Sequence, residues 1–234
     1  MHRFYAPDIA ESKVLPEEES QHAVRVLRLV EGDCIEVVDG QGNCYKCRIT
    51  LAHPKKCAIE VEECVYAAPH WTGSITLGIA PTKNLDRMEW MAEKVTEMGI
   101  DRIIPMRCRY SERKELKTER LKKILISAMK QSLKSTLPQL EEMTPVADVL
   151  KMPFNGQKFI AYCDKEIDRK LFSMSYRKNE DVLILVGPEG DFSKEEVDLA
   201  IVQGFIPVSF GESRLRTETA AMYAVAACHA LKQV

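Results

Sequence analysis

Long apolar runs are missing from this chain of 234 residues, and none approaches the roughly 20 needed to span a bilayer. The opening residues Met1-His2-Arg3-Phe4 lead straight into charged sequence with no apolar export signal, which predicts a cytoplasmic protein. Gly-x-Gly-x-x-Gly occurs nowhere, which excludes the dinucleotide fingerprint, and no glycine-rich turn is followed by Gly-Lys-Ser/Thr, which excludes a Walker loop. Repeats and low-complexity tracts are absent as well. The eight cysteines have no oxidising setting in which to pair. Cys44-Tyr45-Lys46-Cys47 has the spacing of half a zinc ribbon, but no second such pair follows, and Cys57 and Cys64 stand too far apart for a knuckle. No metal is expected. Charge of one sign is lacking too: the net value is −2, so any attraction to a polyanion must come from a local patch.

Such a patch is present. Between Arg102 and Lys134 there are eleven Lys/Arg against three Glu, whereas acids outnumber bases from Met1 to Tyr66. The basic bias runs across a predicted strand, a loop and a helix, which suits a surface facing phosphates as well as it suits a solvated helix face.

Two textures meet near Ala67-Ala68-Pro69-His70 and divide the chain into domains at 1–68 and 72–234. Before the boundary, β-type runs at 34–38, 45–51 and 58–65 alternate with turn signals, and Asp39-Gly40 marks a hairpin. One helix interrupts them, opened by Pro16 and the acids Glu17 to Glu19 and continuing to Leu29. A small β-barrel carrying one helix is the expectation. After the boundary, strands at 75–80, 103–105, 159–162, 182–186 and 207–210 alternate with helices at 86–98, 119–133, 193–203 and 217–231. Residues 182–186 are an unbroken apolar run of the kind a parallel sheet needs, and Ser193-Lys194-Glu195-Glu196 is a capping box. The order predicts an open α/β sheet with helices on both faces.

In such sheets ligands bind beyond the carboxyl ends of the strands, and two loops there have unusual composition. In Gly187-Pro188-Glu189-Gly190 the glycines let backbone approach a ligand and the proline stiffens the turn, although a tight strand-to-helix turn would use the same residues. Phe210-Gly211-Glu212-Ser213-Arg214-Leu215-Arg216-Thr217-Glu218 gathers charge where a strand gives way to an alanine-rich helix. Thr217 reads as the cap of that helix, with Arg214 and Arg216 facing solvent or a ligand.

These two loops, in this order near the C-terminus, resemble the SPOUT class of RNA methyltransferases, and more closely the bacterial 16S ribosomal RNA uridine N3-methyltransferase family (RsmE). The likeness rests on Gly187-Pro188-Glu189-Gly190 with Phe192-Ser193, and on Leu215-Arg216-Thr217-Glu218-Thr219-Ala220. It extends to Glu97-Met98-Gly99-Ile100, to Lys130-Gln131-Ser132 with Leu137-Pro138, and to the segment from His22 to Arg28. Asp191 stands where the family more often has glycine, Tyr110 where an arginine is usual, and Lys134 in place of an arginine.

The resemblance implies a SPOUT-type domain with a C-terminal trefoil knot, a PUA-like barrel that grips RNA, a homodimer, and S-adenosyl-L-methionine as cofactor. It implies 16S rRNA as partner, within the small ribosomal subunit. Leu185, Val186, Gly187, Pro188, Glu189 and Gly190, with Phe210, Gly211, Leu215, Arg216 and Thr217, would bind the cofactor. Uridine N3 carries a proton and is a poor nucleophile until that proton leaves, so a carboxylate base and an arginine to steady charge are required. Glu189 or Glu218 would be the base and Arg216 the charge stabiliser. RNA contacts would come from Arg3, His22, Arg25, Arg28, Arg109, Arg113, Lys130, Gln131 and Lys134. His2, Arg3, Phe4 and Tyr5 combine charge with aromatics able to stack on bases, although Phe4 suits a core equally. The segment 22–30 would turn Ala23, Val26, Leu27 and Val30 inward. Two other readings stay open: a SPOUT enzyme acting on ribose 2′-oxygen or on transfer RNA, and a non-catalytic RNA-binding assembly factor.

Overall fold

The structure, a computed structural model, describes residues 1–163 and 167–232. It divides into two compact units, residues 1–70 with 126–137, and residues 71–125 with 138–234.

In the first unit, β1 (Arg3–Tyr5) pairs in parallel with β2 (Cys34–Val38), and β2, β3 (Asn43–Leu51) and β4 (Ala58–Tyr66) follow as an antiparallel meander. The turn between β2 and β3 is held by Asp39, whose Oδ1 accepts from the backbone of Gln41 at 2.7 Å and of Asn43 at 3.2 Å. Register shifts along β3 and β4 bend the sheet, and Val14 bridges the start of β4. Side chains alternate along these strands, so Ile35, Val37, Cys47, Ile49 and Ile59 enter one core. Phe4 is fully buried in it, which removes Phe4 from the residues able to stack on bases. A short helix α1 (Ile9–Ser12) lies between β1 and the predicted helix.

That predicted helix is shorter than its composition suggests. It runs as α2 (Glu17–Gln21) into one widened turn over His22–Val26, where Leu27 N–H bonds the His22 carbonyl five residues back at 3.0 Å. Arg28 then adopts a left-handed φ of 56° and ends it. The wider turn rotates the later residues, so Ala23, Val24 and Leu27 face the core while Val26 and Val30 stand 65% and 59% exposed. The expectation that Val26 and Val30 face inward is therefore corrected.

In the second unit β5 (Ile75–Ile79), α3 (Leu85–Met98), β6 (Arg102–Arg107) and the part of α4 (Thr118–Gln131) before residue 126 precede short strands β7 (Gln139–Leu140) and β8 (Thr144–Pro145). Then come α5 (Val146–Lys151), β9 (Gln157–Ala161), β10 (Lys170–Leu171), α6 (Phe172–Ser175), β11 (Val182–Val186), α7 (Lys194–Val202), β12 (Ile206–Ser209) and α8 (Thr217–Lys232). The strands form a parallel sheet in the order β10-β12-β9-β11-β5-β6-β7, with β8 also on β6. Every residue of β11 is buried, because β5 and β9 flank it and both faces are covered. Leu183 and Leu185 pack on one face in a cluster that includes residues of α5 and α7, while α8 lies against β5, β11 and α3. The chain visits β11 on one side of β9 and β12 on the other, so the strand order reverses around β9. A crevice opens at such a reversal.

Candidate active site

The crevice is a cleft of about 1260 Å³ beyond the carboxyl ends of β9, β11 and β12. Two loops in its walls are joined directly: Thr217 Oγ1 donates to the Gly187 carbonyl at 3.1 Å. Thr217 is thus the first residue of α8, and its hydroxyl ties the loops together instead of capping the helix.

The turn after β11 is held by its own side chains. Asp191 takes a left-handed φ of 66°, which Asp tolerates better than most residues and which glycine meets without strain. Its carboxylate accepts from Cys163 N–H at 2.9 Å and Phe192 N–H at 2.8 Å, fastening the turn to the end of β9. Burial pushes the Asp191 carboxyl above its usual range, against the opposing pull of those two hydrogen bonds. The capping box forms as expected: Ser193 Oγ accepts from Glu196 N–H at 3.3 Å and Glu196 Oε2 accepts from Ser193 N–H at 2.8 Å. In the second loop Gly211 has φ of 118°, a conformation closed to other residues without strain, and the space a Cβ would enter there is open.

The predicted residues fall into distinct places. Val186, Gly187, Pro188, Glu189, Gly190, Phe210, Gly211, Leu215, Arg216, Thr217 and Glu218 all line the cleft. Leu185 does not, because its side chain lies in the core on the face of β11 turned to α7. Glu218 is buried, and its Oε1 lies 3.7 Å from Arg87 Nη1. Glu189 is exposed, and its Oε1 accepts from Lys83 N–H at 3.0 Å. Arg113 grips the same stretch, donating to the carbonyls of Thr82 at 3.3 Å and Lys83 at 2.7 Å. Arg216 is exposed at the cleft.

The basic residues are less uniform than the sequence suggests. Arg3 is 11% exposed and forks onto Glu36, at 3.0 Å through Nε and 2.8 Å through Nη2. Lys130 pairs with Glu19 at 2.5 Å. Lys134 is half-buried, and its carbonyl accepts from Arg3 at 3.4 Å. Arg109 is exposed, 3.7 Å from Glu195, and Gln131 is exposed on the last turn of α4. His22, Arg25 and Arg28 are exposed around the widened turn.

Arg87 escaped sequence reasoning. It sits in the first turn of α3, where the helix dipole disfavours a cation, and that misplacement is the one signal that could have marked it.

Two family models match the chain. A family described as "RNA methyltransferase domain" matches residues 69–229, and one described as "RNA methyltransferase PUA domain" matches residues 15–62. The chain is 31% identical over 202 residues to the Ribosomal RNA small subunit methyltransferase E of Rickettsia conorii, covering 86% of this chain and 82% of that one. It is 29% identical over 222 residues to the protein of the same name from Bacillus subtilis, covering 90% and 86%. Among solved structures it resembles a "probable rRNA-methyltransferase" from Porphyromonas gingivalis, with TM-score 0.94, 43% identity and coverage of 100% and 99%. It also resembles a Ribosomal RNA small subunit methyltransferase E from Neisseria gonorrhoeae bound to S-adenosyl methionine, with TM-score 0.84, 28% identity and coverage of 99% and 98%.

Proposed function

The chain belongs to the ribosomal RNA small subunit methyltransferase E family of RNA methyltransferases, and on that premise we propose that it methylates N3 of a uridine in 16S rRNA with S-adenosyl-L-methionine as donor. The observation that carries this reading is the joining of the two loops at one cleft, through Thr217 and Gly187, at the strand-order reversal.

The residues of the cleft fit such a donor. Val186, Pro188 and Leu215 offer apolar surface for the adenosine, and the open flank of Gly211 leaves backbone accessible. Glu189, Asp191, Arg214 and Arg216 supply charges of both signs for a molecule that carries both. When bound, S-adenosylmethionine supplies a methyl group whose bond to sulfur breaks, with the electron pair staying on sulfur, as the bond to N3 forms.

The protein must align the uridine, exclude water and take the N3 proton. Of the two carboxylates named from the sequence, Glu218 is the better placed base, because it is buried at the cleft with Arg87 beside it. Glu189 acts as a positioning residue: with one oxygen on Lys83 N–H, it fixes the segment between β5 and α3 at the cleft mouth.

The wider architecture follows the same reading. After β12 the chain returns across β9 so that α8 packs on β5, β11 and α3, a path that suits a trefoil knot. The bent sheet of the first unit, met at β4 by residue 14, suits a PUA-like barrel. Trp90 on α3 and Tyr223 on α8 are exposed aromatics on helices that pack together, and they suit a homodimer interface. RNA would meet Arg25, Arg28 and Arg109, while Arg3, Arg113 and Lys130 hold structure through the partners described above.

The test is nucleoside mass spectrometry of 16S rRNA and of assembled small subunits incubated with the protein and isotopically labelled donor. Labelled 3-methyluridine is the expected product. A label on ribose, or no label on either substrate, would refute the assignment.

A further inference from the structure

Arg87 faces Glu218 at the cleft. Its cation stands in the first turn of α3, at the positive end of the helix dipole, with its side chain 42% exposed to the cleft it lines. Among the described residues its guanidinium makes one ionic contact, with Glu218 at 3.7 Å, which is longer than a hydrogen bond. A guanidinium presents five donors in one plane, so nearly all of them are left for whatever enters the cleft. Glu218 occupies the first turn of α8, where a carboxylate is favoured, and its side chain is 9% exposed. The pair therefore sets a donor-rich cation beside a buried carboxylate.

Taking the proton from uridine N3 leaves negative charge shared between N3 and its two flanking carbonyl oxygens. We propose that Arg87 is a catalytic residue that donates to one of those oxygens as the proton passes to Glu218, an inference that rests on the methylation reading above. Arg216, which the sequence offered for this task, is exposed on a loop, and the described residues give its side chain no ion pair. Arg87 stands on a long helix, with a buried carboxylate as its ionic partner. Donors fixed before charge develops stabilise it more than donors that must be ordered at the time.

The experiment compares the wild type with R87A and R87K under single turnover at saturating donor, with donor affinity measured by isothermal titration. Expected for R87A is a fall in kcat of about 10²-fold with donor affinity within about twofold of the wild type, and recovery of about tenfold on adding millimolar guanidinium ion. R87K keeps the charge beside Glu218 but loses the planar fork, so its kcat falls about tenfold. A folded R87A whose kcat stays within about threefold of the wild type overturns the proposal, as does one whose loss guanidinium leaves untouched. Should R87A fail to fold, R87K with wild-type kcat overturns it. A wild type that makes no 3-methyluridine overturns the underlying reading and this proposal together, whereas an active wild type with an indifferent Arg87 removes the proposal alone.

Discussion

Two glutamates share the cleft in different surroundings. Glu218 is buried against Arg87, and Glu189 is exposed with one oxygen committed to Lys83 N–H. E218Q should lower kcat by about 10²- to 10⁴-fold, the usual contribution of a general base. E189Q keeps an oxygen for Lys83 N–H, so its kcat and pH–rate profile should match the wild type. A flattened acidic limb in E189Q, the limb on which a carboxylate base is lost by protonation, would return the base role to Glu189. Cys163 gives a second reading of the same cleft. Burial, aided by Asp191, raises its thiol pKa, so less thiolate is present near neutral pH than for an ordinary cysteine. Iodoacetamide should therefore label Cys163 slowly at neutral pH and faster as pH rises, and bound donor should protect it, as peptide mass spectrometry would show. The residue types of both cleft loops were legible in the sequence because charges gather beside glycine and proline just beyond the carboxyl ends of strands, where such sheets bind ligands. Arg87 was not, since its partner lies far along the chain on another helix.

At the scale of elements, the contact between α8 and the turn after β11 matters most. T217V removes the hydroxyl from a buried site and leaves the Gly187 carbonyl without its donor, at a cost of about 1–3 kcal/mol, whereas T217S should be nearly neutral. Chemical denaturation would measure the first effect, and titration of the donor should show weaker binding in T217V alone. Equal stability and donor affinity in both variants would show that the two loops are placed by other contacts. Elements with strong periodicity were legible: the apolar run of β11, the buried face of α3 and the capping box of α7. The widened turn at His22–Val26 was not, because composition reports helix propensity but not a change in hydrogen-bond step. Short elements such as β1, α5 and β10 carry too few residues to display a period, and their strands gain order from the neighbours they pair with.

For the molecule as a whole, the charge map must be read together with the ion pairs. Lys130 and Arg3 looked available to RNA, yet each is held by a glutamate from a distant part of its own unit. Arg25 and Arg28 remain exposed around a turn whose left-handed exit fixes its shape. The double variant R25E/R28E should weaken RNA binding and lower the magnitude of the log K against log[salt] slope by about 1.5–2. An unchanged slope would make that turn a bystander surface. Composition changes texture near residue 70, but it gives no sign that 126–137 groups with the first unit, which depends on pairings such as Gly40 with Thr136. The account as a whole stands on one cleft between the turn after β11 and the loop before α8. A crystal structure with S-adenosylhomocysteine tests it most directly. The predicted density lies between residues 186–190 and 210–217, in reach of Glu218. Full occupancy of a different site, with this cleft holding solvent alone, would contradict it.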